Sequence, residues 1–428
     1  MRTCRPDVKG EAQVVTPRGE STDAGHRDGL PRSSVEAPVM GVERRGQIIP
    51  SCSDGQPDSG RSHVNSTKPY TIPKGLVYQA YKRVRANKGS AGVDRQSLED
   101  FDADLSNNLY KLWNRLSSGS YHPPPVLRVD IEKATGGTRP LGIPTVADRI
   151  AQTVVKLQIE PELERHFHPD SYGYRPGKSA HNALKQVQAR CWKKAWVLDM
   201  DIQGFFDNID HELLMKAVDR HVVEGWQKLY IRRWLNAPVQ LANGSIKSRD
   251  QGTPQGGVIS PLLANLFLHY VFDRWVEKRW GGIQFERYAD DIVCHCSSER
   301  EAQALKAVLE ERFRACGLTL HPEKTKIVYC KGGQHRQDYP VFAFNFLGFT
   351  FRPRWMRNRQ GRRGVYFMGA ISQRAAKEIR TKITEWPWKR WRQQEFGQFV
   401  RFCQSRIRGW MHYYGLFGRR YIRNVLFH

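Results

Sequence analysis

No CxxC pair occurs anywhere in these 428 residues, although cysteine is present eight times, at 4, 52, 191, 294, 296, 316, 330 and 403. That scatter supports neither a structural zinc site nor a disulfide framework. Free thiols of this kind point to a reducing, intracellular setting. Cys294 and Cys296 stand two apart beside Ile292 in a strand pattern, where a free cysteine packs as a small hydrophobe. There is no run of about 18 apolar residues, so no membrane span is expected. The N-terminus has no apolar h-region, so no secretory signal is expected either. Aromatic residues are absent from positions 1–65, which hold nine basic and nine acidic residues among many Gly, Pro and Ser. Such a stretch buries too little apolar surface to order itself. It is expected to be a disordered extension, or a leader ahead of the true start.

Acidic residues are scarce at the other end. Residues 351–428 hold 19 Lys and Arg against three Asp and Glu, a net +16 of the chain's +25, together with five Trp. The middle, 66–350, carries +9. A field of that sign attracts polyanions and says nothing about fold.

From about residue 70 the pattern becomes globular. "GLVYQAYKRVRANKGSAGVD" (75–94) predicts a helix ending in a Gly-rich loop. "SYHPPPVLRVDIEKATGGTRPLGIPT" (120–145) predicts two short strands around a basic, Gly-rich turn. Ile150, Val154, Leu157 and Leu163 recur at helical spacing within 146–167. In "AWVLDMDIQGFFDNI" (195–209), Trp196, Leu198, Met200 and Ile202 alternate with Val197, Asp199 and Asp201, which predicts a strand with acids on one face. Residues 252–276 read as a Gly-rich turn entering a helix. A hairpin over 285–296, a helix near 300–316 and an apolar strand over 344–351 follow. Two helical patterns close the chain: Ile371, Ala375, Ile379, Ile383 and Trp386 up to Pro387, then Phe396, Phe399, Cys403, Ile407, Trp410 and Tyr414. Arg374, Lys377, Arg380, Arg401, Arg406 and Arg408 fall on the other faces, and the aromatic stripe is read as core. This mixed, non-repeating order predicts an α+β fold with a helical, cationic tail.

"FERYADDIVCHC" (285–296) places two adjacent carboxylates, Asp290 and Asp291, at the mouth of an apolar hairpin. Turn chemistry alone accounts for Asp at a solvated tip. At an effective dielectric of about 20, however, two unit charges about 4 Å apart repel by about 4 kcal/mol, and burial adds to that cost. Asp201 ends a strand on a defined face; beside the hairpin, it would bring three carboxylates together. Divalent metal answers the repulsion, and Mg²⁺ takes hard oxygen ligands, few of them from protein. Two such ions about 3.5–4 Å apart support in-line displacement at phosphorus. A basic chain with a carboxylate triad therefore points to nucleotidyl transfer. Asp199 and Asp207 are nearby acids able to fill the same place, and spacing does not choose between them.

"YADD" (288–291) matches the YxDD signature of reverse transcriptases. "RPLGIPT" (139–145), "SYGYRPGKSAHNAL" (171–184), "DIQGFFDNI" (201–209), "QGTPQGGVISPLLANL" (251–266), "GLTLHPEKTKI" (317–327) and "FLGFTF" (346–351) follow that family's order. Together they resemble the blocks of group II intron reverse transcriptases, from about residue 75 to the end. "IRGWMHYYG" (407–415) resembles the thumb and maturase region of those proteins. The resemblance implies a right-hand polymerase with fingers and palm over 70–352, followed by an all-helical thumb/maturase domain over 365–428. It implies an RNA-directed DNA polymerase that copies intron RNA for retromobility and, as a maturase, promotes splicing of that RNA.

Position by position, the resemblance implies that Asp201, Asp290 and Asp291 hold two Mg²⁺ ions, with Mn²⁺ able to substitute. Phe205, with Phe206 beside it, would crowd the 2′-hydroxyl of an incoming sugar. Gln255 and Gly256 would line nucleotide and template. Lys133, Arg139 and Arg175 would meet the triphosphate, and Lys324 the departing pyrophosphate. The implied partners are group II intron RNA, a DNA target or primer and deoxynucleoside triphosphates, with no membrane and with a homodimer left open; the implied setting is a bacterial cytoplasm. Arg95 stands where glycine is usual in the family. Nothing after the GW…YY tail resembles the HNH endonuclease of many relatives, so no second-strand cleavage is expected. Two other readings are a maturase that only binds RNA and a retron-type or diversity-generating reverse transcriptase. The intact triad speaks against the first and the GW…YY tail against the second.

Overall fold

The computed structural model describes residues 68–132, 137–333, 335–357, 361, 363–386, 388 and 396–427. The expected disordered leader over 1–65 and the candidate Lys133 lie outside them. Among the described residues the strands form three sheets, in the mixed α+β order that the pattern predicts. β1 (Val126–Glu132) and β2 (Thr138–Ile143) are the expected antiparallel hairpin, extended by β4 (Val239–Gln240) and β5 (Ile246–Lys247). The central sheet has the order β6 (Gln284–Tyr288), β7 (Asp291–Cys296), β3 (Trp196–Met200), β8 (Lys326–Tyr329). A third sheet joins β9 (Phe344–Phe346), β10 (Phe349–Arg357) and β11 (Arg363–Ile371).

Several helices open on a side-chain cap. Ser97 accepts from the Asp100 N–H in a reciprocal capping box. Thr145, Ser179, Asp210, Ser298 and Ser372 each accept an N–H of the first turn that they open. The central sheet is covered on both faces. Leu198, Met200, Ile292, Cys294 and Cys296 point into one hydrophobic cluster, with Phe272, Leu305, Leu309 and Phe313 from neighbouring helices. Val197, Val293 and Val328 point into another, shared with Ala183, Leu184 and Val187 of the Ala180–Cys191 helix and with Phe344, Phe349 and Phe351. The two cysteines pack as expected.

Two expectations need correction. The apolar stretch 344–351 is two strands, β9 and β10, folded back at Leu347 (φ 49°) and Gly348 (φ 78°). Apolar residues on both sides of that turn make it look continuous in sequence. The tail expected to be helical from 365 is β11 as far as Ile371. Its helices run over Gln373–Thr384, Phe396–Tyr414 and Arg419–Leu426. The named tail cations are exposed as predicted, while Cys403 is buried and Trp410 and Tyr414 are half-buried. No helix among the described residues is long and apolar enough to cross a membrane.

Phe349 joins the third sheet to the tail. Its ring is fully buried against Tyr413, Tyr414 and Phe417, with centroids 5.5–5.7 Å away. Phe349→Ala is expected to cost about 3–5 kcal/mol, as large-to-small core changes do, and chemical denaturation reads it directly. A loss under about 1 kcal/mol would mean that the tail packs independently of this ring.

Candidate active site

β3 and β7 run antiparallel, with Met200 opposite Ile292. One step further along that register Asp201 faces Asp291. The line of β3 is prolonged by a bridge between Ile202 and Leu320 and by the His321 N–H donating to the Asp201 carbonyl at 2.8 Å. Tyr288 and Asp291 close the β6–β7 hairpin as a pair, so Ala289 and Asp290 form a two-residue turn. Ala289 takes φ 57°, a left-handed conformation that disfavours any residue with a Cβ. Gly173 is set so close that a Cβ there would lie 2.4 Å from the Ala289 nitrogen. The "SYGY" segment thus abuts the turn.

The electrostatics follow from this crowding. Burial pushes the Asp291 carboxyl up to about 7, with Asp290 and Asp201 adding and Lys324 opposing. Taken as a whole residue, Asp291 is exposed at the start of β7. Burial raises Asp290 too; Asp201 adds to it, while Arg139 and Arg287 oppose. Asp199, one turn of the pleat deeper, is held well above the carboxylate range by burial and by Asp291 and Asp201, opposite Lys326 on β8. Lys324 places its Nζ 3.2 Å from Asp201 Oδ2. Of the two alternatives left open by spacing, Asp199 adjoins the three aspartates, whereas Asp207 lies exposed in the turn beyond, beside Arg249.

Other candidates sort by placement. Arg139 Nε donates to Gln255 Oε1 at 2.7 Å, and the Gly142 N–H donates to the Gln255 carbonyl at 2.6 Å. β2 and the Gly-rich loop are therefore joined beside Asp290. Gly256 has φ 114°, and a Cβ there would lie 2.3 Å from the Gly142 carbonyl oxygen. That approach admits glycine only. Phe205 and Phe206 meet edge to face at 5.2 Å, but Phe205 is 2% exposed within the main core and Phe206 7%. Both rings are buried in that core, and Phe206 is the less enclosed of the two. Arg175 is not delivered to the site. Its guanidinium pairs with Glu164 at 2.9–3.3 Å and donates to the His168 and Ser171 carbonyls. It braces the loop, with its donors already occupied.

Tyr174 was not singled out by sequence reasoning. It stands near Asp290 at φ 58°, and its hydroxyl is raised by burial and by Asp290. The one available signal was an aromatic residue between Gly173 and Arg175 in a motif otherwise made of turn residues.

Residues 131–351 match the family described as reverse transcriptase (RNA-dependent DNA polymerase). The chain belongs to this family. It is 32% identical to protein YkfC of Escherichia coli, over 74% of this chain and 90% of that one. It is 35% identical to the group II intron-encoded protein LtrA of Lactococcus lactis, over 60% of this chain and 43% of the relative. A 91 kDa protein in the cob intron of Schizosaccharomyces pombe is 26% identical over 83% of this chain and 51% of its own length. The chain thus spans about half of these two intron-encoded relatives. Its type is that of the group II intron reverse transcriptases and maturases, as the motif order implies.

The raised carboxyls carry a pH signature. An unfolded Asp titrates near 3.9, so the folded state, with Asp291 at about 7, binds its proton more tightly. Without divalent metal, this group's contribution makes stability fall as pH rises from about 4 to about 7. Asp291→Asn should lose that part of the slope and melt higher than the wild type in chelator at about pH 8. Equal melting temperatures there would show that Asp291 ionises without cost.

Proposed function

We propose that this chain copies an RNA template into DNA at Asp201, Asp290 and Asp291, that it serves a group II intron, and that it binds the intron RNA as a maturase. The observation that carries this reading is the β3–β7 register, which sets Asp201 across from Asp291 beside the Asp290 turn. The donor set fits Mg²⁺, with Mn²⁺ as substitute, because all three groups are hard carboxylates. Among the described residues, no group of three or more His, Cys, Asp or Glu side chains is arranged to hold a metal ion by itself. An ion that keeps its waters and takes substrate phosphates as ligands does not need one. When bound, two such ions would activate the primer hydroxyl and neutralise charge on the leaving pyrophosphate.

The protein's own groups supply the rest. Lys324, beside Asp201, is placed to meet negative charge that leaves the site and to give it a proton. Arg139 and Gln255 form a polar rim next to Asp290, suited to a nucleotide's phosphate and base. The tail helices, with their exposed arginines and lysines, would act as thumb and maturase surface by clamping RNA backbone, a recognition led by phosphate charge and RNA shape. Retromobility would follow from copying the bound intron RNA.

Asp290→Asn is expected to abolish primer extension on an RNA template while leaving RNA affinity intact. Equal loss of both would make the aspartates structural. RNA affinity should also fall steeply with added salt, because each neutralised phosphate releases a counterion. Binding that ignores salt would overturn the tail's role.

A further inference from the structure

We infer that Arg287 is a positioning residue for the adjacent carboxylates: together with Asp273 and Asn265 it fixes the Ala289–Asp290 turn from inside the core, and metal affinity depends on that brace. The inference rests on the metal reading proposed above and extends it to residues behind the site. Arg287 is fully buried, the largest such side chain among the described residues. Its Nε and Nη2 donate to the two oxygens of Asp273 at 2.8 and 2.6 Å, a bidentate pair with neither partner exposed. Nη1 reaches both the Asn265 Oδ1, at 2.9 Å, and the Ala289 carbonyl, at 3.1 Å.

That last bond matters most, because Ala289 is the residue in the left-handed conformation. A carbonyl there is fixed only if something outside the turn holds it. Asn265 closes the arrangement on the other side, its Nδ2 donating to the Gly173 carbonyl at 2.7 Å. Gly173 is the residue packed against the Ala289 nitrogen. One guanidinium therefore ties three segments: the 260–268 helix, the strained turn and, through Asn265, the 171–175 loop. Asp273 enters from a π-helical turn, His269–Asp273, a local geometry that recurs at functional sites. Lysine could replace the charge of Arg287 but not its planar fork.

The test uses the full chain with primer and template. Arg287→Lys keeps a cation opposite Asp273, Asn265→Ala leaves the ion pair untouched, and Gly173→Ala disturbs the turn from its outer side. Mn²⁺ affinity by paramagnetic resonance, the Mg²⁺ dependence of primer extension, melting temperature and RNA binding are measured together. Residues behind metal ligands commonly change affinity by about 10–100-fold when lost. Each folded variant is expected to weaken Mn²⁺ binding by about 10-fold or more and to need correspondingly more Mg²⁺, with RNA binding unchanged. Folded variants that bind Mn²⁺ as the wild type does would overturn the inference. Wild type and Asp290→Asn binding Mn²⁺ alike would instead refute the metal reading, and the inference with it. If Arg287→Lys does not fold, the other two variants decide.

Discussion

Three aspartates share the end of one antiparallel sheet, and like charges there repel one another and resist burial. The surrounding structure can be understood as a response to that constraint. A sheet slides one residue only by turning every side chain to its opposite face. Here both faces of β3 and β7 are buried in separate clusters, so a slip would exchange the two apolar sets and drive Asp199 into the opposite cluster. The cost of unfavourable charge is thus carried by hydrophobic packing elsewhere. Lys324 and Lys326 offset part of it from β8 and the loop before it, and Arg139 does so from β2.

A second layer of charge lies out of sight of solvent. β6 carries Glu286 and Arg287 side by side, both fully buried, on opposite faces of the strand. Glu286 accepts from Arg190 at 2.7 Å and lies 2.6 Å from His295, and Arg190 also pairs with Asp170 at 2.7 Å. Buried pairs such as these seldom add net stability, because desolvation consumes the attraction. Their consequence is geometric. The Asp170 carbonyl accepts from the Arg287 N–H, and the Arg287 carbonyl accepts from the Tyr172 N–H. Residues 170–172 are thereby held against β6 in a parallel bridge between Ser171 and Arg287. Motifs distant in sequence meet at Asp290 because ionic and backbone bonds use the same residues.

What could be read from sequence was whatever depends on period and type. Alternation found β3 and helical spacing found 146–164, and the β3–β7 register continues so that Asp201 falls across from Asp291. What could not be read depends on partners distant in sequence. Arg175 and Arg139 look alike in a basic chain, yet Glu164 and two carbonyls occupy Arg175 while Arg139 faces the cleft. Phe205 and Phe206 are adjacent aromatics, and the 3₁₀ turn that carries them buries both in the core, Phe205 the more deeply. Arg287 passed as a polar residue between Phe285 and Tyr288, since its partner Asp273 lies where an apolar helix pattern was running.

The cationic tail is tied to the same sheet by the helix that covers it. From the Ala180–Cys191 helix, His181 Nε2 donates to the Tyr413 carbonyl at 3.0 Å, and Gln188 both donates to the Phe367 carbonyl and accepts from the Gly369 N–H. The Tyr413 hydroxyl donates to the Leu347 carbonyl, at the β9–β10 turn. The underside of that helix is Ala183, Leu184 and Val187, packed on β3 and β7. A polyanion drawn to the tail by long-range charge is therefore held by elements anchored to the carboxylate-bearing strands. Charge attraction by itself has no direction and no register. Direction comes from this anchoring, which sets a positive surface at a fixed place relative to three negative groups that would otherwise repel the same polyanion. A divalent cation held as proposed would stand between the two and make that combination workable.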